Sequence, residues 1–344
     1  MKYTSQLITA LGIMVIICGF GTLFWYISWD GPVIHYGTIT QTIDFPTEVE
    51  NPIIEFNAIG ESTSYSVLVD DLPGNKLAEI QNIISGPKQL SQNYESRSHH
   101  WVITEKDDGY SVDFEKYDTT IYRYRHDIQI IIDVEAKIIL DLQTNVGSIL
   151  LQSEIDNIDL TIENFITLAG NILVDFLGAN STVEINDCET LDGDINVFFG
   201  DNTTVSGNTA LGSQNGVVSF NCSSGSILDL EGFFIQTNSG DSGIYFENVV
   251  VNLNFNFTIY LVVGSLNLTW LQDSYTTDTD FYIVVNSGNV DVLLDFHPDI
   301  GTSFVTEVVS GEEDVPPNSS GTGGMGKINF FINTYSGNLN VTRI

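Results

Sequence analysis

The sequence predicts an all-β protein: an N-terminal transmembrane helix, a membrane-proximal β domain, then a β-solenoid-like repeat of about 23–24 residues per coil. Three observations carry that reading. Glycines recur at nearly fixed spacing, at Gly147, Gly170, Gly193, Gly216, Gly240, Gly264, Gly288, Gly311 and Gly337, and only the last interval is noticeably longer than the rest. Most are followed by a short β-prone run, such as Asn171-Ile-Leu-Val-Asp-Phe176 or Asp194-Ile-Asn-Val-Phe-Phe199. Near the N-terminus, the whole stretch from Leu7 to Trp29 carries no charge.

That apolar stretch, at about 1.5 Å per residue, is long enough to cross a bilayer core of roughly 30 Å. Trp25, Tyr26 and Trp29 gather at its C-terminal end, where interfacial aromatics are found. Lys2 precedes it and acidic residues follow, which makes residues 1–6 a cytoplasmic stub and sends the rest of the chain outside. The run ends without a small-x-small cleavage site, so an uncleaved single-pass anchor in the cell membrane is expected at residues 7–29.

Residues 30–137 read as a membrane-proximal β domain that lacks the glycine period. Candidate strands are Val33–Phe45, Ile53–Ile59 and Tyr65–Val69. A hairpin joins Trp101–Lys106 to Tyr110–Lys116 through Asp108-Gly109. Leu77–Ile84 reads as one short amphipathic helix. Ile128–Leu142 leads into the repeat domain, residues 138–344.

Within the repeat, glycine suits a corner where φ is positive or backbones approach closely. A second strand sits about half a period later, as in Ile158-Asp-Leu-Thr-Ile162 and Phe281-Tyr-Ile-Val-Val285. Period-2 alternation in these runs sends alternate side chains inward. One coil cannot bury its apolar face alone, so stacking makes the core. Asn and Asp beside the glycines suit turns, and stacked Asn could form ladders. The competing arrangement is an ordinary antiparallel β-sandwich with Gly turns. Glu312-Glu-Asp-Val-Pro-Pro-Asn318 reads as an insertion in the coil after Gly311.

The formal net charge is −34, from 45 Asp and Glu against 11 Lys and Arg. From Ile138 to Gly326 there is no Lys or Arg, and there are 26 Asp and Glu. Such a surface repels nucleic acid and anionic lipid and favours cations, basic partners or simple solubility.

Candidate sites are few. Sequons at Asn180, Asn202, Asn221, Asn256, Asn267, Asn318 and Asn340 are candidate N-glycosylation positions. Cys188 and Cys222 are the two cysteines beyond the anchor and a candidate disulfide, although they sit at different distances from their nearest repeat glycines. Asp192, Asp194 and Asp241 are weak candidates for calcium, which wants six to eight oxygens; no other cofactor is expected. Gly321-Thr-Gly-Gly-Met-Gly-Lys327 fits G-x-x-x-x-G-K, but Ile328 stands where a phosphate-binding loop needs a hydroxyl. His99-His100 lacks an evident third ligand for a metal. No catalytic residue stands out.

The run from Asp127 to Ile149, with Leu140-Asp-Leu-Gln-Thr-Asn-Val-Gly147 inside it, resembles the putative-adhesin domains of prokaryotic surface proteins. In these an L-D-L-x-T-x-x-G-x-I element leads to repeated S-G-D/N/S-I/V-x-L/V units. Ser224-Gly-Ser-Ile-Leu-Asp-Leu230, Ser287-Gly-Asn-Val-Asp-Val292 and Ser336-Gly-Asn-Leu-Asn-Val341 are similar to that unit. The resemblance covers about residues 127–344. It implies a β-solenoid-type surface domain with no assigned catalysis. The expected function is therefore a membrane-anchored, non-enzymatic adhesin-like or scaffold protein, with glycans, cations or surface proteins as partners and no nucleic acid. Two alternatives are a carbohydrate-active β-solenoid enzyme and an accessory protein of an envelope-stress pathway.

Overall fold

The computed structural model describes residues 33–47, 49–87, 100–115, 125–251, 256–275, 277–321 and 325–344. The expected anchor at 7–29, His99 and part of the Gly321–Lys327 loop lie outside the described residues. Among those described, no helix is long and apolar enough to cross a membrane.

Six strands come first: β1 (Val33–Asp44), β2 (Ile53–Asp70), β3 (Lys76–Pro87), β4 (His100–Lys106), β5 (Gly109–Glu115) and β6 (Arg125–Asp133). The stack continues with β7 (Lys137–Val146), β8 (Ile149–Ser153), β9 (Asp159–Ala169), β10 (Ile172–Phe176), β11 (Thr182–Asp192), β12 (Ile195–Phe199), β13 (Thr204–Asn215) and β14 (Val218–Cys222). Then come β15 (Ile227–Ser239), β16 (Ser242–Glu247), β17 (Val250–Val251), β18 (Phe257–Val263), β19 (Leu266–Gln272), β20 (Thr279–Ser287) and β21 (Val290–Phe296). The chain closes with β22 (Gly301–Val308), β23 (Glu313–Asp314), β24 (Lys327–Thr334) and β25 (Leu339–Arg343).

The fold is a β-solenoid. Strands β7, β9, β11, β13, β15, β18 and β20 lie parallel and adjacent in one sheet, here sheet B. Strands β8, β10, β12, β14, β16, β19 and β21 form sheet A in the same way. A coil is one sheet-B strand, a Gly corner, one sheet-A strand and a return turn. The corner explains the glycine period. Gly170 has φ +153°, and a Cβ there would lie 2.0 Å from the carbonyl oxygen of Gly147 in the coil below. Only a residue without a side chain lets the coils close to strand spacing.

The stack extends upstream of residue 138. The first half of β2 pairs with β7, and its second half pairs with β8, so β2 alone is a coil. Beneath it β5 and β6 pair in parallel with β2 in sheets B and A. Antiparallel strands then blunt this end: β3 on β6, β1 on β3 and β4 on β5. These antiparallel strands end the stack here, with β1 and β4 as its edge strands among the described residues. The hairpin expected through Asp108-Gly109 is β4–β5. Leu77–Ile84, expected to be helical, is the middle of β3 instead. Leu77, Ile80 and Ile84 stand at helical spacing and Ala78, Ile80 and Ile84 at strand spacing, and backbone pairing with β1 and β6 decides for the strand.

The other end departs from chain order. β24 lies between β20 and β22, and β25 between β21 and β23. Residues 327–344 are thus inserted beneath the coil that precedes them in sequence. A Cβ on Gly337 would sit 1.9 Å from the oxygen of Gly288, while one on Gly311 would sit 1.8 Å from that of Gly337. Gly311 therefore comes last in space, contrary to the order its sequence position suggests. The acidic insertion makes this possible, because the link from Asp314 at the end of β23 to Lys327 at the start of β24 is far longer than the turn from Phe199 to Thr204 between β12 and β13. At roughly 3.3 Å per residue, a link of that length reaches about 40 Å.

Parallel, in-register stacking places like on like in the core. Phe233, Phe257, Phe281, Phe330 and Phe304 follow one another in paired register through sheet B. Their ring centroids are 5.0, 4.2, 5.3 and 5.4 Å apart. Phe176, Phe199, Phe246 and Trp270 are fully buried from sheet A. Each such ring contributes about 1.5–3 kcal/mol by burial, plus part of a kcal/mol for aromatic contact.

Candidate functional site

The residue after each corner glycine forms a ladder. Ser148 Oγ accepts from Asn171 N at 3.2 Å, Asn171 Oδ1 from Asp194 N at 2.9 Å, and Asp194 Oδ1 from Val217 N at 2.8 Å. Val217 interrupts it. The ladder resumes with Asp241 Oδ1 accepting from Ser265 N at 2.7 Å, Ser265 Oγ from Asn289 N, Asn289 Oδ1 from Asn338 N, and Asn338 Oδ1 from Glu312 N. Two calcium candidates, Asp194 and Asp241, are thus rungs two coils apart. The third, Asp192, accepts from Asn215 Nδ2 at 2.7 Å. Among the described residues no three His, Cys, Asp or Glu side chains form a metal-holding group.

The candidate disulfide is not formed. Cys188 and Cys222 are free and buried, on β11 of sheet B and β14 of sheet A. Burial pushes both thiols far above their usual range. Of the sequons, Asn180 and Asn202 are exposed in positive-φ return turns, with φ 55° and 54°. Asn221, Asn267 and Asn340 lie on outward positions of sheet A, and Asn256 is exposed just before β18. Asn318 Oδ1 accepts from Phe304 N at 2.8 Å at the last strand of sheet B. Ser224-Gly225 falls in a return turn, with φ +77° at Gly225, rather than at the Gly corner its motif suggests.

A surface feature that the sequence did not expose is on the outer face of sheet B. Bulges shift the register partway along, between β7 and β9 at Leu140/Asp141, between β11 and β13 at Glu184/Asp187 and between β13 and β15 at Gly207/Asn208. Ahead of these shifts, outward positions include the acids Glu184, Asp229 and Glu231 among neutral ones such as Thr182, Thr204 and Ser206. There Glu163 is pushed above its usual range, first by burial and then by the Asp141, Glu55 and Glu184 carboxylates. Beyond the bulges the character changes. Outward positions on β13 are Ala210, Gly212 and Gln214; on β15, Phe234, Gln236 and Asn238; on β18, Thr258, Tyr260 and Val262. On β20 they are Tyr282, Val284 and Asn286, and on β24 Phe331 and Asn333, with Tyr335 just past its end. None of these fifteen is charged.

Register sets them in columns: Ala210, Phe234, Thr258, Tyr282 and Phe331 are successive partners, as are Gly212, Gln236, Tyr260, Val284 and Asn333. Tyr282 and Phe331 stack with centroids 4.8 Å apart and planes 8° from parallel. Tyr260 Oη accepts from Asn286 Nδ2 at 3.1 Å. Five coils at about 4.8 Å make a strip roughly 19 Å long. One end opens on a hollow of about 250 Å³ over Gly212, walled by Ile166, Leu168, Glu189, Leu191 and Phe234. Among the described residues, nine of the fifteen exposed large hydrophobics stand on sheet-B strands, against one, Leu68, on sheet-A strands. The apolar exposure is therefore one-sided. A faint signal was in the sequence: Phe233, Phe257 and Phe281 stand at one and the same offset from the corner glycines Gly216, Gly240 and Gly264. Two of them precede a second ring, Phe234 or Tyr282.

No family model matches the chain, and no curated protein matches it. Similar solved structures include a putative adhesin from Parabacteroides distasonis, at 8% identity and TM-score 0.46, with 91% of this chain and 98% of that one covered. A putative adhesin from Bacteroides fragilis has 12% identity and TM-score 0.34, with 90% and 97% covered. A putative cell adhesion protein from Clostridium sporogenes has 10% identity and TM-score 0.23, with 90% and 100% covered. At these scores the likeness carries no functional argument.

Proposed function

We propose that the chain is a membrane-anchored, non-enzymatic surface protein that works by adhesion or scaffolding through an outer face of its solenoid. The observation that carries the reading is the uncharged strip on sheet B within a chain of net charge −34. Acidic side chains keep a surface soluble and repulsive, whereas an uncharged face with exposed rings marks an interaction site. Residues 7–29 supply the anchor in this reading.

The test is external protease shaving of cells that produce the chain, scored for loss of the solenoid and for attachment to coated surfaces. Exposure to protease together with attachment that shaving removes is the expected result. A solenoid sheltered from external protease would end the surface reading. Release of reducing ends from a polysaccharide coat would end the non-enzymatic one.

A further inference from the structure

We infer that the strip on sheet B binds an uncharged polysaccharide, laid along the stack axis across β13, β15, β18, β20 and β24. This deepens the adhesion reading and rests on it. Four observations point the same way. The strip repeats its outward positions at the strand spacing of about 4.8 Å, which suits a ligand that is itself a repeating polymer. Three of its five rings, Phe234, Tyr282 and Phe331, lie on one column with Tyr260 beside them, and together they supply apolar surface for the C–H face of a sugar ring. The neighbouring column carries Gln236 and Asn333, whose amides can both donate to and accept from hydroxyls.

Charge selects among ligands. Ahead of the strip these strands carry the outward carboxylates Asp229, Glu231 and Asp280 against the single cation Lys327, in a chain of net charge −34, so an anionic polymer would be repelled. A cationic one would prefer the acidic half to the uncharged strip. Sequon placement agrees, because none of the seven lies on the strip, so glycans added there would leave it bare. A peptide added as a strand would need a sheet edge, and this is a sheet face whose backbone is already paired.

The experiment is titration of the full chain in detergent with dextran and a soluble β-glucan as neutral probes, alginate as the anionic and chitosan as the cationic one. Saturable binding to a neutral probe, nearly unchanged by added salt, is expected. The double variant Tyr282→Ala with Phe331→Ala should weaken it roughly tenfold or more, while Leu293→Ala on the outer face of sheet A leaves it unchanged. Both substituted rings point outward, so an unchanged melting midpoint shows that the variant is folded. Neutral binding that survives the double variant would remove the strip as the site. Binding to chitosan alone, lost in salt, would reduce the interaction to charge attraction and overturn the proposal. Cell attachment without binding to any probe would overturn the polysaccharide while leaving the adhesion reading in place.

Discussion

Gly264→Ala should be among the most damaging single-methyl additions the chain can receive. The backbone there has φ +150°, and the new Cβ would lie 1.9 Å from the carbonyl oxygen of Gly240 and 2.5 Å from its carbon. Holding an alanine in that region costs about 1–2 kcal/mol. Relieving contact with backbone, which cannot swing aside as a side chain can, costs about 1–3 kcal/mol more. The expected loss is about 2–5 kcal/mol. Gly243→Ala, in β16 of the preceding coil, is the matched control. Its Cβ would meet nothing closer than Ser219 Oγ at 3.7 Å, and reduced freedom of the unfolded chain favours alanine by about 0.4–1 kcal/mol. Urea unfolding followed by fluorescence of Trp270, which is buried beside Phe246, reads both. Hydrogen exchange across 240–288 shows whether the damage stays local, as it can in a repeat array. A Gly264→Ala loss below about 1 kcal/mol, or equal losses in the two variants, would refute the corner geometry.

Two further outcomes follow from the core and its margin. Phe257→Ala removes the ring that stacks on Phe281 at 4.2 Å and should cost about 3–5 kcal/mol, measured by the same unfolding curve. Asp187 is half-buried, its Oδ1 has no hydrogen-bond partner, and burial followed by the Glu189 charge pushes its carboxyl from the ordinary 3.8 up to about 6. The folded state therefore holds this proton more tightly than the unfolded state, and stability falls as pH rises between about 4 and 6. The shift would be worth about 3 kcal/mol for a fully buried group, and solvent screening leaves about 1 kcal/mol. Asp187→Asn should then gain about 1 kcal/mol at pH 7 and flatten that part of the profile; an unchanged profile would contradict it.

The solenoid was legible because its cause is local: a corner that admits no Cβ must be glycine, coil after coil. The hairpin through Asp108-Gly109 was legible for the same kind of reason. Leu77–Ile84 misled because so short an apolar spacing satisfies both helical and strand periods, and only β1 and β6 on either side settle it. The reversed order of the last coils could not be read from spacing alone. Gly311 keeps the period, yet it stacks on Gly337, and the difference lies in which backbone pairs with which. The strip needed more still. In Phe233-Phe234 and Phe330-Phe331 one ring is core and the other faces out, and composition does not say which. The Asp candidates at the turns were identified by residue type alone. Their carboxylates turned out to serve neighbouring coils, two as ladder rungs and one through Asn215.

The claim on which the site most depends is that residues 327–344 lie directly on the 279–296 coil, since that is what brings Phe331 onto Tyr282. Cysteine pairs on the ladder test it. Asn289→Cys with Asn338→Cys places the two on adjacent strands, about 4.8 Å apart and within disulfide reach. Asn289→Cys with Glu312→Cys places them two strands apart, about 9.6 Å and out of reach. Peptide mapping after mild oxidation of the folded chain should find the 289–338 bridge and not the 289–312 bridge. The opposite pattern would mean that the coils stack in chain order, and Phe331 would not stand on Tyr282.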